Sequence, residues 1–139
     1  MRYLGLDLGS KTLGIAISDK KGIIASPLTI LRYSGEKEDL ILELKKIIEE
    51  KDIQKLILGF PKNMNNTIGD RAIDTLSFKE LLETNLSLEV ILYDERLTTK
   101  EAESVLINAD LSRKKRKKII DKMAAVIILQ NYLNYKERN

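Results

Sequence analysis

The sequence contains no histidine, and that absence excludes more chemistry than any other. A Ser–His triad, a histidine general base and a histidine-ligated zinc are all impossible without it. Cysteine is missing too, which removes disulfides and thiolate catalysis and fits a reducing compartment. Hydrolysis by such a chain has to use carboxylates, lysine, or water on an oxygen-ligated ion such as Mg²⁺ or Mn²⁺. Aromatics are sparse, with two Phe, five Tyr and no Trp, so no stacking platform of the kind used by single-strand binders is visible. The longest apolar run, Met123 to Leu129, is too short to span a bilayer, and the N-terminus reaches Asp7 before a signal-like segment can form. A cytoplasmic protein with no membrane association is expected. Its 139 residues suit one domain, 1–139, large enough to bury a core but too short for two lobes.

What is present is organised around Leu4-Gly5-Leu6-Asp7-Leu8-Gly9-Ser10-Lys11-Thr12. This is an apolar run holding one carboxylate, then a glycine turn, then a second apolar run from Leu13 to Ile17. It reads as a β-hairpin. Side chains alternate along a strand, so Asp7 shares its face only with Gly5 and Gly9. Two missing side chains leave space beside one acid, which suits a ligand, a metal or a nucleic-acid backbone. The plainer alternative is a carboxylate that accepts backbone hydrogen bonds at a bulge.

A turn near Asp19 to Gly22 leads to a third β-rich run, Ile23 to Tyr33, and Pro27 within it places that strand at an edge. Acidic residues at 36, 38 and 39 then open a helix with Leu40, Ile41, Leu44, Ile47 and Ile48 at helical spacing. Lys55 to Phe60 reads as a strand buried on both faces. A polar loop, Pro61 to Gly69, precedes a helix from about Asp70 to Thr84. Leu88 to Tyr93 forms a fifth strand ending in Asp94, Glu95 and Arg96. Thr98 and Glu101 have capping-box spacing and predict a helix start at Thr98. The last helix starts at Ser112 and runs to about Tyr135. Short connections make the first three strands antiparallel, and helical crossovers make the later ones parallel. The fold class is therefore α/β, a mixed five-stranded sheet flanked by helices.

Ligands collect beyond the carboxyl ends of parallel strands, where Asp94, Glu95 and the Asn63 to Asn66 loop fall. Asp7, on a central first strand, can lie beside them. Asp121 is a third candidate, because Ala124, Ala125 and Ile128 follow it on the apolar, sheet-facing side of its helix. A buried carboxylate needs a partner; a lysine would serve, and so would a metal. Clustered carboxylates repel unless a divalent cation holds them. Two ions about 4 Å apart can activate water against a phosphodiester. That chemistry needs no histidine.

Net charge is only +3, yet Arg113, Lys114, Lys115, Arg116, Lys117 and Lys118 alone supply six positive charges, so the rest of the chain is net acidic. Such a run is ordinarily a solvated helix face. Six consecutive charges encircle a helix, however, and some must flank the face that carries Asp121. Arg113, Lys114, Arg116 and Lys117 are therefore candidate phosphate contacts. Lys11 and Arg96, beside two of the motifs, are candidates of the same kind.

Four segments also resemble a known family. They are Gly5 to Thr12; Gly59-Phe60-Pro61 with Asn63-Met64; Tyr93 to Thr99; and Asp121-Lys122-Met123-Ala124-Ala125 through Leu129-Gln130 to Tyr132-Leu133. In this order they look like the YqgF family, RuvC-like nucleases of the ribonuclease H superfamily described as Holliday junction resolvases or pre-16S rRNA nucleases. The resemblance implies an RNase H-like fold and a metal-dependent nuclease whose Mg²⁺ or Mn²⁺ is held by Asp7, Glu95 and Asp121. Glu95 rather than Asp94 follows from the family match, with Asp94 the substitute. It also implies that Asn63 contacts substrate. The second motif departs from the family pattern, since Asn65 and Asn66 stand before Gly69 where a glycine usually comes sooner; asparagine tolerates left-handed backbone.

The expected activity is cleavage of structured RNA, processing pre-16S rRNA ends in ribosome biogenesis. The alternatives are a Holliday junction resolvase in recombination and repair, or a binding module of the same fold without turnover. Asp7 to Thr12 also resembles the phosphate hairpin of actin-like ATPases and sugar kinases, but those close two lobes around a nucleotide. Both a monomer and a homodimer are compatible with the sequence.

Overall fold

The computed structural model describes residues 1–34, 36–61, 69–94 and 112–138, with the side chains of 112, 114, 115 and 123–137 in the last of these segments. The helix expected from Thr98 and most of the polar loop after Pro61 lie outside the described residues. The elements are β1 (Tyr3–Leu8), β2 (Thr12–Ser18), β3 (Ala25–Arg32), α1 (Glu38–Lys51), β4 (Lys55–Phe60), α2 (Asp70–Leu86), β5 (Glu89–Asp94) and α3 (Arg113–Arg138). The strands form one sheet in the order β3-β2-β1-β4-β5. β1 pairs antiparallel with β2 and parallel with β4, and β4 pairs parallel with β5. The mixed five-stranded sheet expected from the pattern of runs is the one observed.

Alternation along each strand sorts the side chains into two clusters. Leu4, Leu6 and Leu8 join Leu13, Ile15, Leu56, Leu58 and Val90 on one face, where α1 contributes Leu40, Ile41 and Leu44 and α2 contributes Phe78 and Leu82. The helices lie there because their apolar residues recur every three or four positions. Burying each large aliphatic side chain contributes about 1.5–3 kcal/mol. On the other face Tyr3, Ala16 and Ile57 pack with Ala125, Ile128, Leu129 and Leu133 of α3.

This second face is thin along the middle of β1 and β2, where Gly5, Gly14 and Ala16 are small. A Cβ added at Gly5 would stand 2.7 Å from Leu129 Cβ and 2.8 Å from the Ala125 carbonyl oxygen, so only glycine lets α3 lie this close to β1. The sequence-based expectation that Gly5 leaves space for a ligand is thereby corrected: a helix fills that space.

Two further ties hold α3 to the sheet. Gln130 accepts from the Ala25 N–H at 2.8 Å and donates to the Ile23 carbonyl at 2.9 Å. The Tyr132 ring meets Tyr3 and Tyr93 edge-on, with centroids 6.0 and 6.1 Å apart. Tyr135, by contrast, is exposed. Pro27 sits on edge strand β3 opposite Ala16, where the register shifts between Ile15 and Ala16, as a residue without an N–H requires. In the turn before β3, Asp19 Oδ1 accepts from the N–H groups of Ile23 and Ile24 at 2.7 and 3.0 Å. The Ile24 and Ile23 bonds hold its carboxyl below the usual carboxylate range.

Candidate active site

Asp7 lies near the carboxyl end of β1, half-buried, on the face that α3 covers. Its antiparallel partner across the sheet is Gly14. A Cβ at Gly14 would be 3.8 Å from Asp7 Cβ and 3.7 Å from Ala125 Cβ. The space beside the Asp7 carboxylate is thus the space that Gly14 leaves. Sequence reasoning singled out Gly5 and Gly9 and missed Gly14, whose only signal was a lone glycine in the strand that pairs with the acid. A hollow of about 310 Å³ opens beside Gly14, with Ile30, Met123 and Ala125 along its walls.

α3 runs antiparallel to β1. Its end is tied to Tyr3, whose hydroxyl accepts from Lys136 Nζ at 3.0 Å. Leu129 and Ala125 meet Gly5, and Ala125 also stands beside Gly14, the partner of Asp7. One turn earlier on the same helical face is position 121. The backbone of α3 therefore carries position 121 towards the end of β1 where Asp7 sits. The Asp121 side chain lies outside the described residues.

The two acids at the end of β5 separate by alternation. Val90 and Leu92 pack into the α1–α2 cluster, whereas Ile91 and Tyr93 pack into the α3 cluster. Asp94, the next residue of β5, consequently belongs to the α1–α2 side, away from Asp7. Glu95 lies outside the described residues, as do Asn63 and Arg96. Lys11, Lys114 and Lys115 are exposed. Arg113, Arg116 and Lys117 fall in the first turns of α3, and their side chains are not described. Among the described residues no three acids gather as a metal site.

The turn after Asp7 is held from behind. The Tyr33 hydroxyl donates to the Gly9 carbonyl, and Arg71 Nη2 donates to the Leu8 carbonyl at 3.2 Å. Gly9 itself donates to the Thr12 carbonyl at 2.8 Å. Burial and, secondarily, the Asp74 charge push the Tyr33 hydroxyl above its ordinary pKa. Neither Tyr33 nor Arg71 was singled out in the sequence, because each reaches the turn only through the folded chain.

Residues 1–135 match the family described as "RuvX: Holliday junction resolvase". The chain belongs to the RuvX family. Two curated RuvX relatives, both named "Putative pre-16S rRNA nuclease", are similar over almost the whole length. The one from Geobacillus sp. (strain WCH70) is 53% identical over 138 residues, covering 99% of this chain and all of that protein. The one from Bacillus subtilis (strain 168) is 52% identical over 135 residues, covering 96% and 98%. Among solved structures, T. thermophilus RuvC in complex with Holliday junction substrate superposes with a TM-score of 0.67 at 16% identity, over 99% of this chain and 96% of that one. At that identity the likeness concerns the fold, which is RNase H-like in this RuvX chain as in RuvC. The family resemblance drawn from the four motifs is borne out. No helix among the described residues is long and apolar enough to cross a membrane.

Proposed function

We propose that this RuvX chain is a metal-dependent nuclease, a single RNase H-like domain that hydrolyses phosphodiester bonds in structured nucleic acid and matures the ends of pre-16S rRNA. The observation that carries this reading is Asp7: a half-buried carboxylate at the end of a central strand, facing a helix across a glycine that leaves room beside it. An acid held on an apolar face with free space at its side is built to receive a partner. The names of the two full-length relatives favour pre-16S rRNA over other substrates.

The residues present fit a hard divalent cation. A chain without histidine or cysteine offers oxygen donors alone, and these suit Mg²⁺ or Mn²⁺. Asp7, Glu95 and Asp121 would hold it. Glu95 is preferred to Asp94 because alternation along β5 turns Asp94 to the other side of the sheet. The ion, when bound, offsets charge at the scissile phosphate and lowers the pKa of the attacking water. Asp7 meanwhile orients by its fixed position on β1, and the Ala125 and Gly14 surface keeps larger side chains out of the space beside it. Lys11, Asn63, Arg96 and the bases Arg113, Lys114, Arg116 and Lys117 bind the flanking phosphates, which gives affinity without sequence preference.

The family description supports a second reading, cleavage of four-way DNA junctions. Both are tested by offering the protein labelled pre-rRNA terminus substrates and synthetic four-way junctions, with Mg²⁺ or Mn²⁺ against EDTA. The expected result is cation-dependent cutting of the RNA ends. Preferential cutting of the junction would move the role to recombination. Binding of both substrates with no cutting in either cation would make the chain a non-catalytic module.

A further inference from the structure

On the side of the β1–β2 turn away from Asp7 lies a cavity of about 420 Å³ to which the nuclease reading assigns no task. Leu8, Gly9 and Ser10 form one wall, and Tyr33, Lys37, Arg71 and Asp74 stand around it. Its volume falls within the roughly 300–1,000 Å³ of small-ligand clefts. It also lies at the carboxyl end of β1, where open α/β sheets bind their ligands.

Two cations face this cavity. Among the described residues, neither Lys37 nor Arg71 forms a salt bridge. Arg71 commits Nη2 to the Leu8 carbonyl, and a guanidinium carries five N–H donors in a rigid fork. That bond orients the fork, and among the described residues the other donors have no protein acceptor. Lys37 is the residue preceding α1 and its side chain makes no capping bond; it is half-buried and reaches the same cavity. The exposed Ser10 hydroxyl adds a further donor beside Gly9.

Charge selects the ligand. Two cations against the single carboxylate of Asp74 leave one net positive charge. That balances one phosphodiester, and it falls well short of a nucleoside triphosphate. Resting on the nuclease reading, we propose that this cavity holds a phosphate of the substrate strand that crosses the β1–β2 turn to Asp7, with Lys37 and Arg71 as its cations. The turn would then be gripped by nucleic acid on both sides, with the reacting acid on one and a backbone anchor on the other.

The test measures binding in the Asp7→Asn background, where cutting is silent, with labelled pre-rRNA terminus RNA over a series of salt concentrations. Lys37→Ala is expected to weaken binding about 5- to 10-fold near 0.1 M salt and to make the salt slope shallower by about 0.7–0.9 per lost phosphate contact. Lys37→Arg should restore both. Lys45→Ala removes an exposed charge two turns further along α1 and should change little. Arg71→Lys keeps the charge but not the fork, and is expected to weaken binding less than Arg71→Ala.

If Lys37→Ala and Lys45→Ala bind alike while the parent binds well, the anchor is refuted and the nuclease reading stands. A parent that binds no nucleic acid even at low salt would remove the nuclease reading and the anchor with it. Competition by ATP at micromolar concentration, abolished by Lys37→Ala, would overturn the anchor in favour of a nucleotide site.

Discussion

The two faces of the sheet are built from different residues. Under α1 and α2 the strands present Leu4, Leu6, Leu8, Leu13, Ile15, Leu56 and Leu58, all buried. Under α3, β1 presents Tyr3, Gly5 and Asp7 and β2 presents Gly14 and Ala16. The first face is thick and apolar, and its interdigitating side chains supply most of the burial that opposes chain entropy. The second is thin, so a helix can approach its backbone, and it tolerates one carboxylate near its open end. The apolar core and the lone carboxylate of β1 thereby fall on opposite sides of the same strand, one residue apart, and the proposed function divides stability from chemistry along that line.

That division can be broken from either side. The largest expected effect is on cutting: Asp7→Asn should lower the rate about 10³-fold, corresponding to about 4 kcal/mol of barrier, while the melting temperature holds or rises because a half-buried charge has been removed. Its neighbour on the thick face should behave in the opposite way. Leu6→Ala should cost about 2–5 kcal/mol in denaturant unfolding, with the remaining folded protein still able to cut. Gly5→Ala should cost about 1–3 kcal/mol, since α3 has to shift away from contacts of 2.7 and 2.8 Å. Cutting should fall with it, because the shifting helix carries position 121. Gly14→Ala should have the smallest effect on stability, within about 0.5 kcal/mol, because its Cβ would make ordinary contacts of 3.7 and 3.8 Å. A measurable drop in cutting with unchanged unfolding would locate the functional space beside Asp7.

The sequence made legible what depends on local pattern. Alternation identified the strands and the lone carboxylate of β1, helical spacing identified the last helix, and proline put β3 at the edge. What depends on register or on distant segments was not legible. Gly14 became the neighbour of Asp7 only through the hairpin pairing Asp7↔Gly14, and a shift of one residue would have put a large aliphatic there. Gly5 looked like an opening and proved to be a helix contact, because no local signal says which element covers a strand. Which side of the sheet Asp94 belongs to became readable only from the packing of Ile91 and Tyr93 against α3. Tyr33, Lys37 and Arg71 meet at the β1–β2 turn from three separate segments, a juxtaposition that no spacing rule announces.

The central claim is that Asp7 holds a divalent cation on the thin face. Calorimetric titration of Mn²⁺ into the wild-type protein and into Asp7→Asn, both shown to be folded, tests it without relying on activity. The account predicts a binding isotherm for the wild type that disappears, or weakens at least tenfold, in Asp7→Asn. Equal Mn²⁺ binding by the two proteins would contradict it.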